Sequence, residues 1–204
     1  MTARRGTGRP VVRVNRAPVL TLWGAVVAER LGFDWEEALT LGRALAGLNA
    51  YAKGVRLGLF HPTPRAVAER RRRAASGEGV TVDLMHRAIP AVQTPEGIRA
   101  MSRGRPIPPE SVERYLRARF GEHYEAALSA MRELARSLPP RRLAVEAFHL
   151  YEQFRPEVPP GRRGWGAAGE LDLGRIRALA RAGAEVLASR RGPPHGPARR
   201  REDT

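Results

Sequence analysis

The segment that most restricts the fold is residues 17–31, which predict a helix that is apolar on most of its faces. Charged side chains appear only at its end, as Glu29 and Arg30, before Gly32 stops the helix. A helix without a polar face has to be buried. Its large apolar side chains are Val19, Leu20, Leu22, Trp23, Val26 and Val27.

A second, longer helix is predicted to start at Asp34, a good N-cap residue, with Glu36 and Glu37 in the first turn opposing the positive end of the helix dipole. It carries an apolar stripe at spacings of three and four, formed by Leu41, Leu45, Leu48, Ala52, Val55 and Leu59. Glycines at positions 42, 47, 54 and 58 would weaken this helix unless a neighbour packs closely. We expect the first helix to be that neighbour.

The centre of the chain predicts a short basic helix and a hairpin. Pro64 begins the helix, which spans residues 65–75. Extended segments at 88–94 and 98–101 flank Thr94-Pro95-Glu96-Gly97, a sequence typical of a turn, and predict a β-hairpin. Helices follow again after the prolines at 106–109, with a Pro/Gly-rich loop at 156–169.

The predicted fold is therefore mainly α, a compact helical protein of about six or seven helices with one β-hairpin near residues 88–101. We expect an N-terminal helical region at 17–105, which includes the basic helix and the hairpin. A C-terminal helical region at 106–189 would pack on it. Residues 1–16 and 190–204 are predicted to be basic disordered tails.

The net charge of +15 is concentrated at the two ends of the chain. Residues 1–16 carry five arginines and no acid, and residues 190–204 carry five arginines against Glu202 and Asp203. Such tails attract polyanions through Coulomb forces and counterion release, without reading sequence. The alternative is that arginine-rich ends are solubilising extensions in an organism with a GC-rich genome.

Composition also points to one face of the second helix. Lys53 is the only lysine against 35 arginines, and Asn49 is one of two asparagines. These residues lie four apart and share a helix face, which with Arg56 falls about 60–120° from the centre of the apolar stripe. Asn49, Lys53 and Arg56 are therefore candidates for binding a small anionic, phosphorylated ligand. A chance pair on the surface is the alternative.

The order helix, helix, basic helix, hairpin is similar to that of winged-helix DNA-binding proteins, whose third helix enters the major groove beside a β wing. The second helix is too long for that arrangement, and the basic helix has no Asn or Gln to read adenine. Phosphate contact is thus better supported than base reading. The candidate nucleic-acid-binding residues are Arg65, Arg70, Arg71, Arg72, Arg73, Arg103 and Arg105, with Arg99 also on the wing side.

Residues 164–169 match the pattern GxGxxG, but a dinucleotide site needs an apolar strand directly before it. The preceding prolines, glycine and arginines cannot form a central strand, which excludes that site. Arg162 and Arg163 remain candidates for holding a phosphate, and Trp165 for stacking on a base or sugar. The alternative is a structural loop in which Trp165 fills a gap between helices.

Several chemistries have no support in the sequence. The chain has no cysteine, which excludes disulfides, thiol nucleophiles and cysteine-bound metals. Glu146 and His149 form a single ExxH, whereas carboxylate-bridged metal sites need two, so no metal or other cofactor is expected. No catalytic motif is present, and whether the protein is an enzyme stays open.

No stretch approaches the roughly 18 apolar residues that span a bilayer, and no membrane partner is expected. The basic start of the chain, followed by an apolar run at 17–28, resembles a signal peptide. That run continues directly into Glu29-Arg30-Leu31, however, and we expect a cytoplasmic protein.

Three functions follow as hypotheses. The first is a nucleic-acid-associated protein that binds the phosphate backbone of DNA or RNA largely without sequence specificity. The second is an enzyme or binder of a small anionic ligand at Asn49, Lys53 and Arg56, assisted by Arg162 and Arg163. The third is a protein–protein interaction module whose charge records genome composition. The sequence leaves the oligomeric state open, a homo-oligomer included.

Overall fold

The computed structural model describes residues 11–61, 79–158 and 167–190. The helices are α1 (Arg16–Arg30), α2 (Trp35–Arg56), α3 (Pro109–Phe120), α4 (Tyr124–Arg136), α5 (Pro140–Phe154) and α6 (Leu173–Arg190), with a short 3-10 turn at Gly121–His123. The strands are β1 (Val11–Val14), β2 (Gly79–Leu84), β3 (Arg87–Thr94), β4 (Gly97–Ser102), β5 (Arg105–Pro106) and β6 (Gly169–Asp172). Within these ranges, no helix combines the length and the apolar character needed to cross a membrane.

The prediction of a mainly helical protein with one hairpin was wrong, because the fold is mixed α/β with two antiparallel sheets. One sheet has the order β2-β3-β4-β5, and its central β3–β4 pair turns at Thr94 and Gly97, where the sequence predicts the hairpin. The other sheet pairs β1 with β6. The remaining strands are only two to six residues long, and β2 was missed although its residues alternate apolar and polar from Val80 to Leu84.

Part of the segment predicted as the N-terminal tail forms β1. Val12 and Val14 are buried, and Val12 lies opposite Leu171 in β6. Glu157 extends this sheet by exchanging two backbone hydrogen bonds with Glu170, of 3.2 and 3.0 Å. The four residues of β1 form an ordered strand because β6, from the far end of the chain, provides both backbone hydrogen bonds and apolar contacts.

The centre of the fold is α1, and its predicted burial is confirmed. Every residue from Pro18 to Ala28 is buried, and the helix contacts α2, α3, α4 and α5. The Trp23 indole N–H donates a hydrogen bond of 2.8 Å to the Ala147 carbonyl. The edge of its ring packs on Phe154 with the centroids 5.3 Å apart. A helix with no polar side is thus covered on all sides by the rest of the chain.

The two longest N-terminal helices cross at Gly42. A Cβ on Gly42 would lie 2.6 Å from the Ala25 nitrogen and against the Thr21 carbonyl, and one on Gly24 would lie 3.1 Å from the Gly42 Cα. Both obstacles at Gly42 are backbone atoms, which cannot move aside as a flexible side chain can. Of the four α2-region glycines that we expected α1 to pack against, Gly42 alone meets it. Nothing lies within 4 Å of a Cβ on Gly47.

Replacing Gly42 with Ala should therefore force α1 and α2 apart and lower the free energy of unfolding by about 1–3 kcal/mol. Gly47→Ala is the matched control, because it makes the same change in the same helix at an exposed position with open space. We expect the control to raise stability by about 0.5–1 kcal/mol. Urea denaturation monitored by circular dichroism measures both, and equal effects would contradict the close crossing.

The N-terminal half of α2 covers the edge of β4. One Glu37 carboxylate oxygen accepts the Ile98 N–H at 2.7 Å, while the other caps the start of α2 by accepting the Asp34 N–H at 3.1 Å. Thr40 Oγ1 accepts the Ala100 N–H at 3.0 Å. Because β5 is only two residues long, these side chains satisfy strand donors that a neighbouring strand would otherwise pair. The sheet and α2 are thereby fixed in register.

Tyr151 on α5 is a buried phenol next to α1. Its hydroxyl donates to the Arg16 carbonyl at 3.3 Å, and its ring packs edge-on against Phe154, with centroids 5.8 Å apart. Burial, which disfavours the phenolate, raises the pKa of Tyr151 to about 12. The native state therefore keeps this proton at a pH where the unfolded chain, with a phenol pKa near 10, has lost it.

Stability should consequently fall between about pH 10 and pH 12, by up to about 1.4 kcal/mol per pH unit from this group. Tyr151→Phe removes that dependence and costs about 1 kcal/mol at pH 8 for the lost hydrogen bond. The stability gap between wild type and variant should thus shrink or reverse at pH 11.5. Urea titrations at pH 8 and 11.5 test this, and a constant gap would show that the phenol titrates normally.

Candidate nucleic-acid interface

Many of the predicted binding residues lie outside the described residues. This holds for the basic helix and for residues 164–166 of the GxGxxG pattern, whose last residue, Gly169, begins β6. The residues concerned are Arg65, Arg70, Arg71, Arg72, Arg73, Arg162, Arg163 and Trp165.

Arg103 and Arg105 lie at the tip of the β4–β5 hairpin, and both side chains are exposed. Ser102 pairs with Arg105, so Arg103 and Gly104 are the two central residues of the turn, with φ of +52° and +81°. A two-residue turn with positive φ at both positions matches the twist of the strands and usually carries Asn-Gly. Arginine in the left-handed region costs roughly 1–2 kcal/mol. The chain thus maintains a strained arginine at an exposed tip.

Arg99, which the sequence placed beside Arg103 and Arg105, has a structural role instead. It is 6% exposed, and its Nη2 donates to Glu36 Oε2 at 2.8 Å. A buried guanidinium that is already paired with a carboxylate is unavailable to a ligand. It joins β4 to the first turn of α2, together with the contacts of Glu37 and Thr40.

The second predicted site lies on the last two turns of α2. Asn49 is half-buried, as its angle from the apolar stripe predicts, whereas Lys53 and Arg56 are exposed. The helix ends at Arg56, and Gly58 adopts φ of +70° just beyond it. The last stripe residue, Leu59, therefore falls outside the helix and is 55% exposed. The three candidates share this end of α2.

Two of the recesses on the described surface lie away from the predicted ligand-binding residues. One, of about 200 Å³, is lined by Val26, Glu29, Arg30, Arg132, Ala135 and Arg136. Arg132 there is neutralised by Glu29, to which it donates two hydrogen bonds of 2.6 and 2.8 Å. The other is a shallow hollow of about 330 Å³ lined by Glu110, Glu113, Arg114 and Arg117.

Ion pairs neutralise many of the described arginines. Arg117, for example, donates hydrogen bonds to Glu113 at 2.9 Å and to Glu125 at 3.0 Å, and the bond that it donates to Glu113 raises the pKa of Arg117. The remaining pairs of this kind are Arg132–Glu29, Arg142–Glu146, Arg155–Glu152 and Arg175–Glu157. Arg103 and Arg105 make no ion pair with any residue of the described ranges. The hairpin tip is thus a locally uncompensated positive charge.

Tyr115 on α3 holds two further arginines that sequence reasoning missed. The Arg43 guanidinium lies 4.6 Å from the centroid of its ring, and that of Arg119 lies 5.6 Å away. Both arginines are exposed, whereas Tyr115 is half-buried and packs against the core. The i,i+4 spacing of Tyr115 and Arg119 is a signal present in the sequence. The approach of Arg43 depends on how α2 packs against α3 and has no such signal.

The described residues include no group of three or more histidines and carboxylates that could hold a metal ion. Glu146, from the single ExxH, instead accepts a hydrogen bond of 2.6 Å from Arg142. Comparisons with protein-family models, characterised proteins and solved structures found no match for this chain.

Proposed function

We propose that this protein binds nucleic acid through the phosphate backbone, largely without sequence specificity, in the cytoplasm. The observation that carries the proposal is the hairpin tip, where two exposed arginines lack a carboxylate partner among the residues that the structure describes. The net charge of +15 adds long-range attraction for a polyanion, most strongly at the two ends of the sequence. No base-reading constellation accompanies the arginines, which favours phosphate contact over base contact.

The turn geometry places Arg103 where its side chain can reach a ligand. Asn at position 103 would form this turn at lower cost, and the β2–β3 turn likewise holds Met85 and His86 at φ of +50° and +61°. Arginine there sacrifices stability and places a guanidinium at the outermost point of the hairpin. Each phosphate contact by such a group releases counterions from the nucleic acid, and binding should weaken steeply with salt.

The test is fluorescence anisotropy of the full-length protein with labelled duplex DNA and single-stranded RNA across a salt series. The double variant Arg103→Asn/Arg105→Gln removes both charges and keeps a favourable turn. We expect its affinity for duplex DNA to fall at least tenfold. The plot of log affinity against log salt has a negative slope, and we expect the magnitude of that slope to decrease by about 2. Its thermal stability should be equal or higher, since Asn relieves the strain at position 103.

The control is Arg114→Gln/Arg181→Gln, which removes the same net charge from exposed arginines on α3 and α6. It should change the affinity much less than the tip variant. Equal losses in both variants would mean that only total charge matters and would reject the tip as a site. A chain trimmed to residues 11–190, which keeps every described strand and helix, measures the contribution of the two ends. No binding by the full-length protein near physiological salt would refute the proposal itself.

A further inference from the structure

Arg43, Tyr115 and Arg119 form a cluster that the sequence did not reveal, and its geometry differs from that of the other described arginines. Two guanidiniums from different helices approach the same ring, at 4.6 and 5.6 Å from its centroid. Tyr115 and Arg119 lie one turn apart on α3, and Arg43 reaches the ring from α2. Neither arginine makes an ion pair with a described carboxylate.

Two like charges held near one ring repel each other, and a nearby anion relieves that repulsion. Elsewhere on the surface a glutamate plays this part, as Glu29 does for Arg132. Arg132 is an informative comparison, because it also stacks on an aromatic ring, that of Trp35 at 4.7 Å, yet its N–H donors are occupied by a carboxylate. The donors of Arg43 and Arg119 remain available for an acceptor from outside the described chain.

Stacking also prepares these donors for binding. A guanidinium packed against an aromatic ring has lost part of its side-chain freedom before a ligand arrives, and the attraction to the ring offsets that loss. The ring itself is fixed, since Tyr115 packs against the core. The planar fork of each arginine can then donate two parallel hydrogen bonds to a phosphate.

The cluster lies toward the same end of the α2–β4 pair as the hairpin tip. Thr40 on α2 bonds Ala100 on β4, and Glu37 bonds Ile98, so helix and strand run in the same direction. Arg43 comes three residues after Thr40, about 4.5 Å along the helix. Arg103 comes three residues after Ala100, about 10 Å along the strand. Arg43 and the hairpin tip therefore both lie beyond the Thr40–Ala100 contact in the direction in which α2 and β4 run.

We propose that Arg43 and Arg119, held by Tyr115, form a preorganised clamp for backbone phosphates of the nucleic acid. This inference rests on the proposed function and adds a second contact site to it. Each guanidinium would donate to a backbone phosphate, and Tyr115 acts as a positioning residue through its ring. The tyrosine hydroxyl has no part in this role.

The matched pair Tyr115→Phe and Tyr115→Leu tests the clamp in the full-length protein with a short labelled DNA duplex. Phe keeps the ring and should bind within about twofold of wild type. Leu keeps the apolar packing but removes the ring. The DNA affinity of this variant should fall about five- to tenfold, and the magnitude of its salt slope should decrease by about 1. A merely structural tyrosine would not change the salt slope.

Arg43→Met and Arg119→Met provide a second route if Tyr115→Leu fails to fold, because both side chains are exposed and Met keeps an apolar stem. Each should lower the salt slope by about 1, whereas Arg181→Met should leave it nearly unchanged. If the wild type binds DNA and all three variants bind it equally well, the clamp is wrong and the proposed function stands. The three variants are Tyr115→Leu, Arg43→Met and Arg119→Met. If the wild type itself binds no nucleic acid, both proposals fail together.

Discussion

The close crossing of α1 and α2 is the constraint on which the other elements depend. Because α1 has no polar face, every side of it needs an apolar neighbour, and α2 covers one side at a separation that only glycine at position 42 permits. The remaining sides are closed by α3, α4 and α5. One helix, α1, thus lies at the centre of the core, where many α/β proteins have a sheet.

From that crossing, α2 determines where the candidate binding groups lie. Its first turns bind the edge of β4 through Glu37 and Thr40, which fixes the strand that leads to the Arg103 tip. One turn further on, Arg43 meets Tyr115 of α3. Its last turns carry Lys53 and Arg56 into solvent. A single helix therefore connects the core to the tip, the clamp and the second set of predicted residues.

Local sequence signals predicted the local features of this structure. The all-apolar face of α1, the N-cap at Asp34 and the turn at 94–97 depend on residues close together in the chain, and all three are present. The pairing of β1 with β6 depends on segments from opposite ends of the chain, which a local pattern cannot reveal. The fold class was wrong because of that pairing and because the local β2–β3 hairpin was also missed.

The candidate site shows the same difference between features that depend on nearby residues and features that depend on distant segments. Exposure of Arg103 and Arg105 follows from their place at a turn, whereas the burial of Arg99 depends on a carboxylate from α2, 63 residues earlier. The sequence pattern of basic residues alone assigned all three to one surface. The packing of α2 against β4 separates them, and its packing against α3 brings in Arg43 instead.

The near-exclusive use of arginine gains a more specific meaning from these contacts. A GC-rich genome would explain why the basic residues are arginine and not lysine. It would not determine which of these arginines form an ion pair with a glutamate. In this fold, Arg117, Arg132 and Arg142 are neutralised by carboxylates, whereas Arg103 and Arg105, together with Arg43 and Arg119, are not. Lysine could supply the charge but could not stack on Tyr115 while presenting a planar fork. The arginines without an ion pair in the described ranges also include Arg114 and Arg181, so a comparison of these positions with the tip and the Tyr115 cluster is what separates genome bias from function.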